Sequence, residues 1–279
     1  MRLFSAFIFS AILAGYSVAA TTADNTLSPA EKKTGWTLLF DGKTMHGWID
    51  PRTLSPAGDS WSIEDGCLKA NPQPRINEDL VSKGTYRNFE LQWDWRISAK
   101  GNSGLKYRIQ DFILMTKGTL QPGTHKFEDQ AAYAMRQQKK LNRKLIQPGQ
   151  SAQIYVIGFE YQMIDNNGHP DAKHGKAYQT AALYSIVGPS EEAVKPVGEF
   201  NHSLLIVRGN HVEHWLNGVK VVDTTLDNDQ LKANLAKRWG IDSPIYHDMV
   251  EQPRKDCPIS LQNHHDAAWF RNIKIRRLP

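Results

Sequence analysis

The stretch Phe89-Glu-Leu-Gln-Trp-Asp-Trp-Arg-Ile97 decides the architecture. Phe89, Leu91, Trp93, Trp95 and Ile97 fall on every second position, and Glu90, Gln92, Asp94 and Arg96 fill the positions between. Side chains of an extended chain point alternately to opposite faces, so this pattern predicts a strand with one buried and one wetted face. The same period recurs where Leu105, Tyr107 and Ile109 alternate with Lys106, Arg108 and Gln110, and where Phe159, Tyr161 and Met163 alternate with Glu160 and Gln162. Nearer the C-terminus, Ser203–Arg208, His211–Leu216 and Val219–Asp223 read as a meander. Gly209-Asn210 joins its first pair and Asn217-Gly218 its second, the latter a type I′ hairpin signal. Ile259–Gln262 and Trp269–Arg277 complete the series. Many short antiparallel strands with Gly-rich turns predict an all-β sandwich or barrel.

Two segments break the pattern. Glu128–Leu145 contains neither Gly nor Pro and reads as a helical insertion, within about 111–153, closed by Pro148-Gly149. Residues 226–238 read as a second short helix. Residues 21–34 are small and polar and read as a linker, which leaves 35–279 as one domain. The βαβ alternation of a nucleotide-binding sheet is absent, as are GxGxxG, Walker A and GxSxG strings.

Composition narrows the class further. The chain has 279 residues, 40% hydrophobic and 23% charged, with 10 Phe, 9 Tyr and 8 Trp, which excludes a disordered chain. Two cysteines cannot build a disulfide-dense scaffold or a four-cysteine zinc site. The net charge of +5 is mild and no Lys/Arg block stands out, so nucleic acid is not an expected partner. Arg2 followed by the apolar run Leu3–Val18 and the small residues Ser17-Val18-Ala19-Ala20 reads as a secretory leader, residues 1–20. The alternative, a retained anchor, has a run short for the ~20 residues a span needs. The mature chain is therefore expected to be secreted or periplasmic and free of the membrane. In such a compartment Cys67 and Cys257 either pair or remain two buried thiols.

The polar strand faces carry the chemistry. Glu160, Asp165, Lys106, Arg108, His214 and Gln262 all sit on predicted strands or their ends. Each alone reads as ordinary surface; aligned on one sheet they would line a concave wall suited to a sugar. Ten histidines raise the question of a metal. His211 and His214 are three apart, which puts them on opposite strand faces. His169 and His174 flank a loop, and His264-His265-Asp266 lies at a strand end.

Several stretches together resemble one family: Gly35-Trp-Thr-Leu-Leu-Phe-Asp-Gly-Lys-Thr44, Trp61-Ser-Ile-Glu-Asp-Gly66, Gly101-Asn-Ser-Gly-Leu-Lys-Tyr-Arg108, Phe159-Glu-Tyr-Gln-Met-Ile-Asp165, Gly198-Glu-Phe-Asn201, His214-Trp-Leu-Asn-Gly-Val-Lys-Val-Val222, Pro258-Ile-Ser-Leu-Gln-Asn-His264 and Phe270-Arg-Asn-Ile-Lys-Ile275. In this order they resemble the 3-keto-disaccharide hydrolase domain family, from about Gly35 to Leu278. The resemblance implies a concanavalin A-like jelly-roll β-sandwich and action on glycosides carrying a ketone at C3. By motif it carries over Glu160, His214, Lys106 and Arg108 as catalytic candidates, and Asp165, Gln262, His264 and Asn102 as substrate-binding candidates. The chain departs from the pattern at His265, where Gly is usual.

A ketone at C3 acidifies the C2 hydrogen, so a base can remove it and the C1 substituent can leave. On this expectation His214 or Glu160 is the base. Lys106 and Arg108 hold the negative oxygen, with a divalent metal ion as a candidate helper, and Asp165 and Gln262 orient hydroxyls. Arg108 has a second reading as a structural partner of Glu160, and Asn102 as the shaper of a Gly101–Gly104 turn. The alternatives to this enzyme are a non-catalytic lectin-like module and ordinary two-carboxylate hydrolysis. The expected partner is a small-molecule carbohydrate, with homo-oligomerisation left open.

Overall fold

The computed structural model describes residues 24–51, 58–115, 126–138 and 152–279. The expected leader, residues 1–20, and the second half of the expected helical insertion lie outside the described residues. Fourteen strands are present among the described residues: β1 (Trp36–Leu38), β2 (Trp48–Ile49), β3 (Trp61–Glu64), β4 (Cys67–Ala70), β5 (Ile76–Glu78), β6 (Leu80–Ser82), β7 (Phe89–Ile97), β8 (Asn102–Met115), β9 (Ala152–Ile164), β10 (Asn201–Arg208), β11 (His211–Leu216), β12 (Val219–Thr225), β13 (Ser260–Leu261) and β14 (Ala268–Arg277). One sheet runs β12-β11-β10-β7-β14-β4-β3, with β1 also paired to β14; the other runs β2-β6-β13-β8-β9-β5. Packed face to face, they make a concanavalin A-like jelly-roll β-sandwich.

The core follows the alternation that marked β7. Phe89, Leu91, Trp93, Trp95 and Ile97 are buried, while the residues between them are half-buried. Trp93 meets Tyr161 of the opposite sheet edge-on, with ring centroids 5.0 Å apart. Two of the polar atoms carried inward by these rings are satisfied locally, while Trp93 Nε1 has no partner among the described residues. Trp95 Nε1 donates to Ser203 Oγ at 2.8 Å, and Tyr161 Oη lies 2.9 Å from the same hydroxyl and 3.0 Å from the Trp215 carbonyl. A buried aromatic with a partnered polar tip keeps its hydrophobic gain without an orphaned donor.

β8 departs from the expected alternation. Asn102 to Gln110 are all buried, because elements outside the sandwich cover its second face. Part of that cover is helix α2 (Phe127–Gln138), which begins one residue before the expected helix. The remaining described helices of note are α1 (Pro29–Lys33) and α3 (Asp229–Trp239), the latter matching the second predicted helix. α3 buries Leu231, Leu235 and Trp239, spaced four apart on one face.

Residues 24–34 are not a free linker. Ser28 caps α1 in a reciprocal pair with Glu31, and Glu31 pairs in turn with Lys274 of β14. Arg271 pairs with Asp24 at 2.6 Å, and the Asn25 backbone amide donates to Asn272 at 2.6 Å. The outward polar row of β14 supplies the partners that hold this segment. Cys67, in β4, and Cys257, ahead of β13, are separate buried free thiols, and burial pushes both thiols up. Among the described residues no helix is long and apolar enough to cross a membrane.

Leu91 is fully buried at the centre of the sandwich. Leu91→Ala should cost about 2–5 kcal/mol of stability, read as a lower denaturation midpoint at unchanged slope.

Candidate active site

The covered face of the smaller sheet holds a cavity of about 400 Å³. Its floor comes from three adjacent strands or their ends: Asn102 from β8, Glu160 and Gln162 from β9, and Gln262 just after β13. Register places them side by side. Gly104 faces Gln162 across the β8–β9 pair, and the Gln262 amide donates to the Gly104 carbonyl at 2.8 Å. The walls are Phe127 and Glu128 of α2, Tyr155 of β9, Arg238 of α3, and Asp171, His174, Tyr178, Tyr184 and His264 from the connecting segments. The helical insertion therefore does cover the cleft, as one side of it.

Glu160 is the central acid. It is 8% exposed, and burial pushes its carboxyl above the usual carboxylate range, with Lys106, its cross-strand partner, pulling the other way. Its side chain lies over Gly104. A Cβ at that position would come within 3.0 Å of the Glu160 Cγ and carboxyl carbon, so the missing methyl is the space the acid occupies. Two neighbouring acceptors have no partner among the described residues: Asn102 Oδ1 and Gln262 Oε1 are both buried and unbonded. Buried acceptors left open cost stability unless something donates to them.

Arg238 is the cation in the cavity wall. Its guanidinium stacks 4.9 Å from the Tyr184 ring and 4.5 Å from the Trp239 ring, and Nη1 donates to Ser185 Oγ at 2.9 Å. Its Nε lies 3.7 Å from Glu128, which ties α3 to α2 across the cavity. Tyr178 and Tyr184 meet edge-on at 5.4 Å, and His174 meets Tyr178 at the same spacing, giving one aromatic side.

A metal-ligating group lies at the cavity edge. His169, His264 and Asp266 each offer a ligand atom, all within 4.8 Å of one another. Burial and the nearby Lys106 push the His264 imidazole down to about 4, so it is neutral and able to ligate. Asp266 also accepts from the Asn102 amide at 3.1 Å, fixing it beside the floor. A second such group, His211, Glu213 and Asp223, is on the surface and already holds a cation: Lys220 pairs with Asp223 and lies 3.9 Å from Glu213.

Of the residues expected from the sequence, Glu160, Gln262, His264 and Asn102 come together here. Asn102 does so as part of β8; the turn before it closes from Ser98 to Gly101. The other four stand elsewhere. His214 is 0% exposed and faces the core between Val212 and Leu216, because its place in the alternation of β11 is the inner one. Its Nε2 lies 3.0 Å from Tyr107 Oη and its Nδ1 2.9 Å from the Ala181 carbonyl, so both nitrogens are engaged. Arg108 is turned aside by a break in register between Tyr107 and Asp111, where its own φ is 51°. Its guanidinium donates to the Gly209 carbonyl in the other sheet's turn and does not pair with Glu160. Asp165 organises a turn, accepting from the amides of Lys100, Asn167 and Gly168 at 2.8, 3.0 and 2.9 Å. Lys106 is 1% exposed and sits behind the floor, its Nζ 3.6 Å from Asp79 and 4.5 Å from the Tyr155 ring centroid.

Arg238, Tyr184, Tyr178 and Glu128 escape sequence reasoning. Arg238 lies beside the apolar stripe of a short helix, and the tyrosines sit in irregular chain with no period to flag them.

His214 sets a test of its placement. Burial pushes its imidazole down to about 4, against an ordinary value near 6.5. Below about 6.5 the unfolded chain binds a proton that the folded chain refuses, so stability should fall as pH drops from 6.5 toward 4 and be unaffected by this group above. Side-chain NMR should show the His214 ring neutral throughout that window, and His214→Gln should flatten the stability slope there.

Comparison with known proteins shows the family. Residues 35–276 match the model of the 3-keto-alpha-glucoside-1,2-lyase-like domain. A 3-keto-disaccharide hydrolase of Bacteroides thetaiotaomicron is 30% identical over 276 residues, covering 94% of this chain and 84% of the relative. A solved structure of a candidate glycosyl hydrolase from Parabacteroides distasonis superposes with a TM-score of 0.67 at 27% identity, over 92% of this chain and 100% of that one. A second from the same organism, at 22% identity and a TM-score of 0.55, covers 87% and 99% and shares the fold. The chain thus belongs to the 3-keto-α-glucoside-1,2-lyase-like family, among carbohydrate-active, glycoside-hydrolase-like proteins.

Proposed function

We propose that the chain cleaves the glycosidic bond of a 3-keto-glycoside by elimination and hydration, with Glu160 as the proton-transfer group. The observation that carries this reading is the floor itself. A carboxyl held above its ordinary range stands beside two open amide oxygens, Asn102 Oδ1 and Gln262 Oε1, in a 400 Å³ cavity. The amide oxygens suit sugar hydroxyls as donors. A carboxylate with raised proton affinity is a stronger base than one in water.

The steps balance with one carboxyl. The Glu160 carboxylate takes the C2 proton; the C–H electron pair moves to form the enolate of the C3 ketone. The enolate expels the C1 substituent, whose oxygen leaves with the C1–O bonding pair and takes the proton from Glu160. The product is a C1=C2 enone. Glu160 then removes a proton from water adding at C1 and returns it to C2, which releases the 3-keto sugar. Arg238 offers positive charge to the enolate oxygen, the role expected of Lys106 and Arg108. A placed acid–base group contributes ~10²–10⁴-fold to such a step.

The donor set of His169, His264 and Asp266 fits a first-row divalent ion, two imidazoles and one carboxylate being a common ligand combination. Such an ion would withdraw charge from the ketone oxygen. The Asp171 backbone amide donates to His169 Nδ1 at 3.1 Å, which steadies that ring. The leader-like residues 1–20 support export.

The purified protein should release aglycone and 3-keto-glucose from a 3-keto-glucoside and leave the unoxidised glucoside intact. Glu160→Gln should lower turnover by at least ~100-fold, and prolonged chelation should lower it in the wild type, with Mn²⁺ restoring it. Sugar binding without turnover would establish the lectin-like alternative, and cleavage of the unoxidised glucoside would establish two-carboxylate hydrolysis.

A further inference from the structure

Behind the floor lies a buried row that the reaction above does not use directly. Ser260, Lys106 and Glu160 stand in register across three strands, β13, β8 and β9. Asp79, in the link between β5 and β6 and 3% exposed, closes the row on the far side. One of its oxygens, Oδ2, accepts from Ser260 Oγ at 3.1 Å and lies 3.6 Å from Lys106 Nζ. The Asn263 backbone amide donates to the same carboxyl.

We propose that Asp79 is a positioning residue for Glu160: by holding Lys106 as its own counter-ion, it keeps that lysine from fixing Glu160 as a permanent anion. The inference rests on the reading of Glu160 as the proton-transfer group and deepens it.

The argument is one of charge in a dry place. One ammonium lies between two carboxyls. With both ionised, the row carries an uncompensated negative charge that burial penalises heavily. One carboxyl therefore exchanges a proton, and the surroundings decide which. Burial pushes both carboxyls up, but Asp79 has a hydroxyl, a backbone amide and the ammonium fixed around it, donors that favour the anion. Glu160 has the Gln262 side chain and an open cavity. The mobile proton thus belongs to the carboxyl that faces substrate. The pull of Lys106 favours ionised Glu160 and the presence of Asp79 disfavours it.

The other groups facing Glu160 leave this balance in place. Arg238 of α3 favours its anion, but Glu128 of α2 lies 3.7 Å from that guanidinium. Burial pushes the Tyr184 phenol up, and Tyr155 stands in the same wall. Asp171, His174 and His264 line the same cavity from the connecting segments.

Asp79→Asn keeps the shape and removes the charge. Without its counter-ion, Lys106 acts on Glu160 alone, and Glu160 becomes a weaker base. Assayed on a 3-keto-glucoside at fixed metal, the acid limb of the kcat/KM profile should move down by about 1 pH unit or more. The plateau kcat should drop several-fold, and KM should change little because Asp79 does not line the cavity. An unshifted limb, an upward shift, or a uniform loss at every pH in a folded variant overturns the proposal. Should Asp79→Asn fail to fold, ¹³C-carboxyl NMR of the wild type decides. The Asp79 signal should titrate below that of Glu160, while Glu160 titrates above its ordinary range; the reverse order overturns the proposal. Full turnover by Glu160→Gln would instead defeat the base assignment, a separate result from an unshifted limb with Glu160→Gln inactive.

Discussion

A strand in a sandwich ordinarily keeps one face for the core and gives the other to water. β8 gives up neither: every side chain from Asn102 to Gln110 is buried. Its inner face packs Leu105 and Tyr107 against the larger sheet, and its outer face lies under α2, α3 and the connecting segments. That second burial is what makes the site. It removes solvent from Lys106, Glu160 and Asp79, so their charges act on one another instead of being screened. It also leaves Asn102 and Gln262 with amide oxygens that have no donor among the described residues.

The same constraint explains why the architecture was readable from the sequence and the site only partly so. Period-two alternation marks which residues share a strand face, and it located β7, the β10–β12 meander and the paired β8 and β9. It does not say whether a polar residue faces outward or occupies the inner face. His214 reads as polar chemistry, yet its phase along β11 matches Val212 and Leu216, and it belongs to the core. Arg108 keeps phase with Lys106 in the sequence, but a break in register at that point redirects it. Asp165 lies one residue beyond the end of β9, where a carboxylate is better used closing a turn.

Glu160 and Asn102 were legible because they sit on strands whose pairing brings them together, and Gln262 and His264 because they follow directly on β13. Arg238, Tyr178, Tyr184 and Glu128 were not, because helices and irregular chain carry them in from distant parts of the sequence. Asp79 was hidden for a related reason: its meaning depends wholly on Lys106, some way along the chain and two strands across. The covering elements have no periodic signature that relates them to the sheet they cover. Only the packed structure shows that α2 and α3 meet over the floor through Glu128 and Arg238.

Gly104 gives this architecture a narrow evolutionary margin. A strand tolerates Ala there as far as pairing is concerned, yet the methyl would meet the Glu160 side chain lying over that backbone and force it to shift. Descent along this lineage can therefore retain the sandwich, the sugar-shaped hollow and its hydroxyl acceptors while the acid is evicted. On the proposed reading of Glu160 as the proton-transfer group, the volume of a single methyl group separates a catalyst from a receptor on this scaffold.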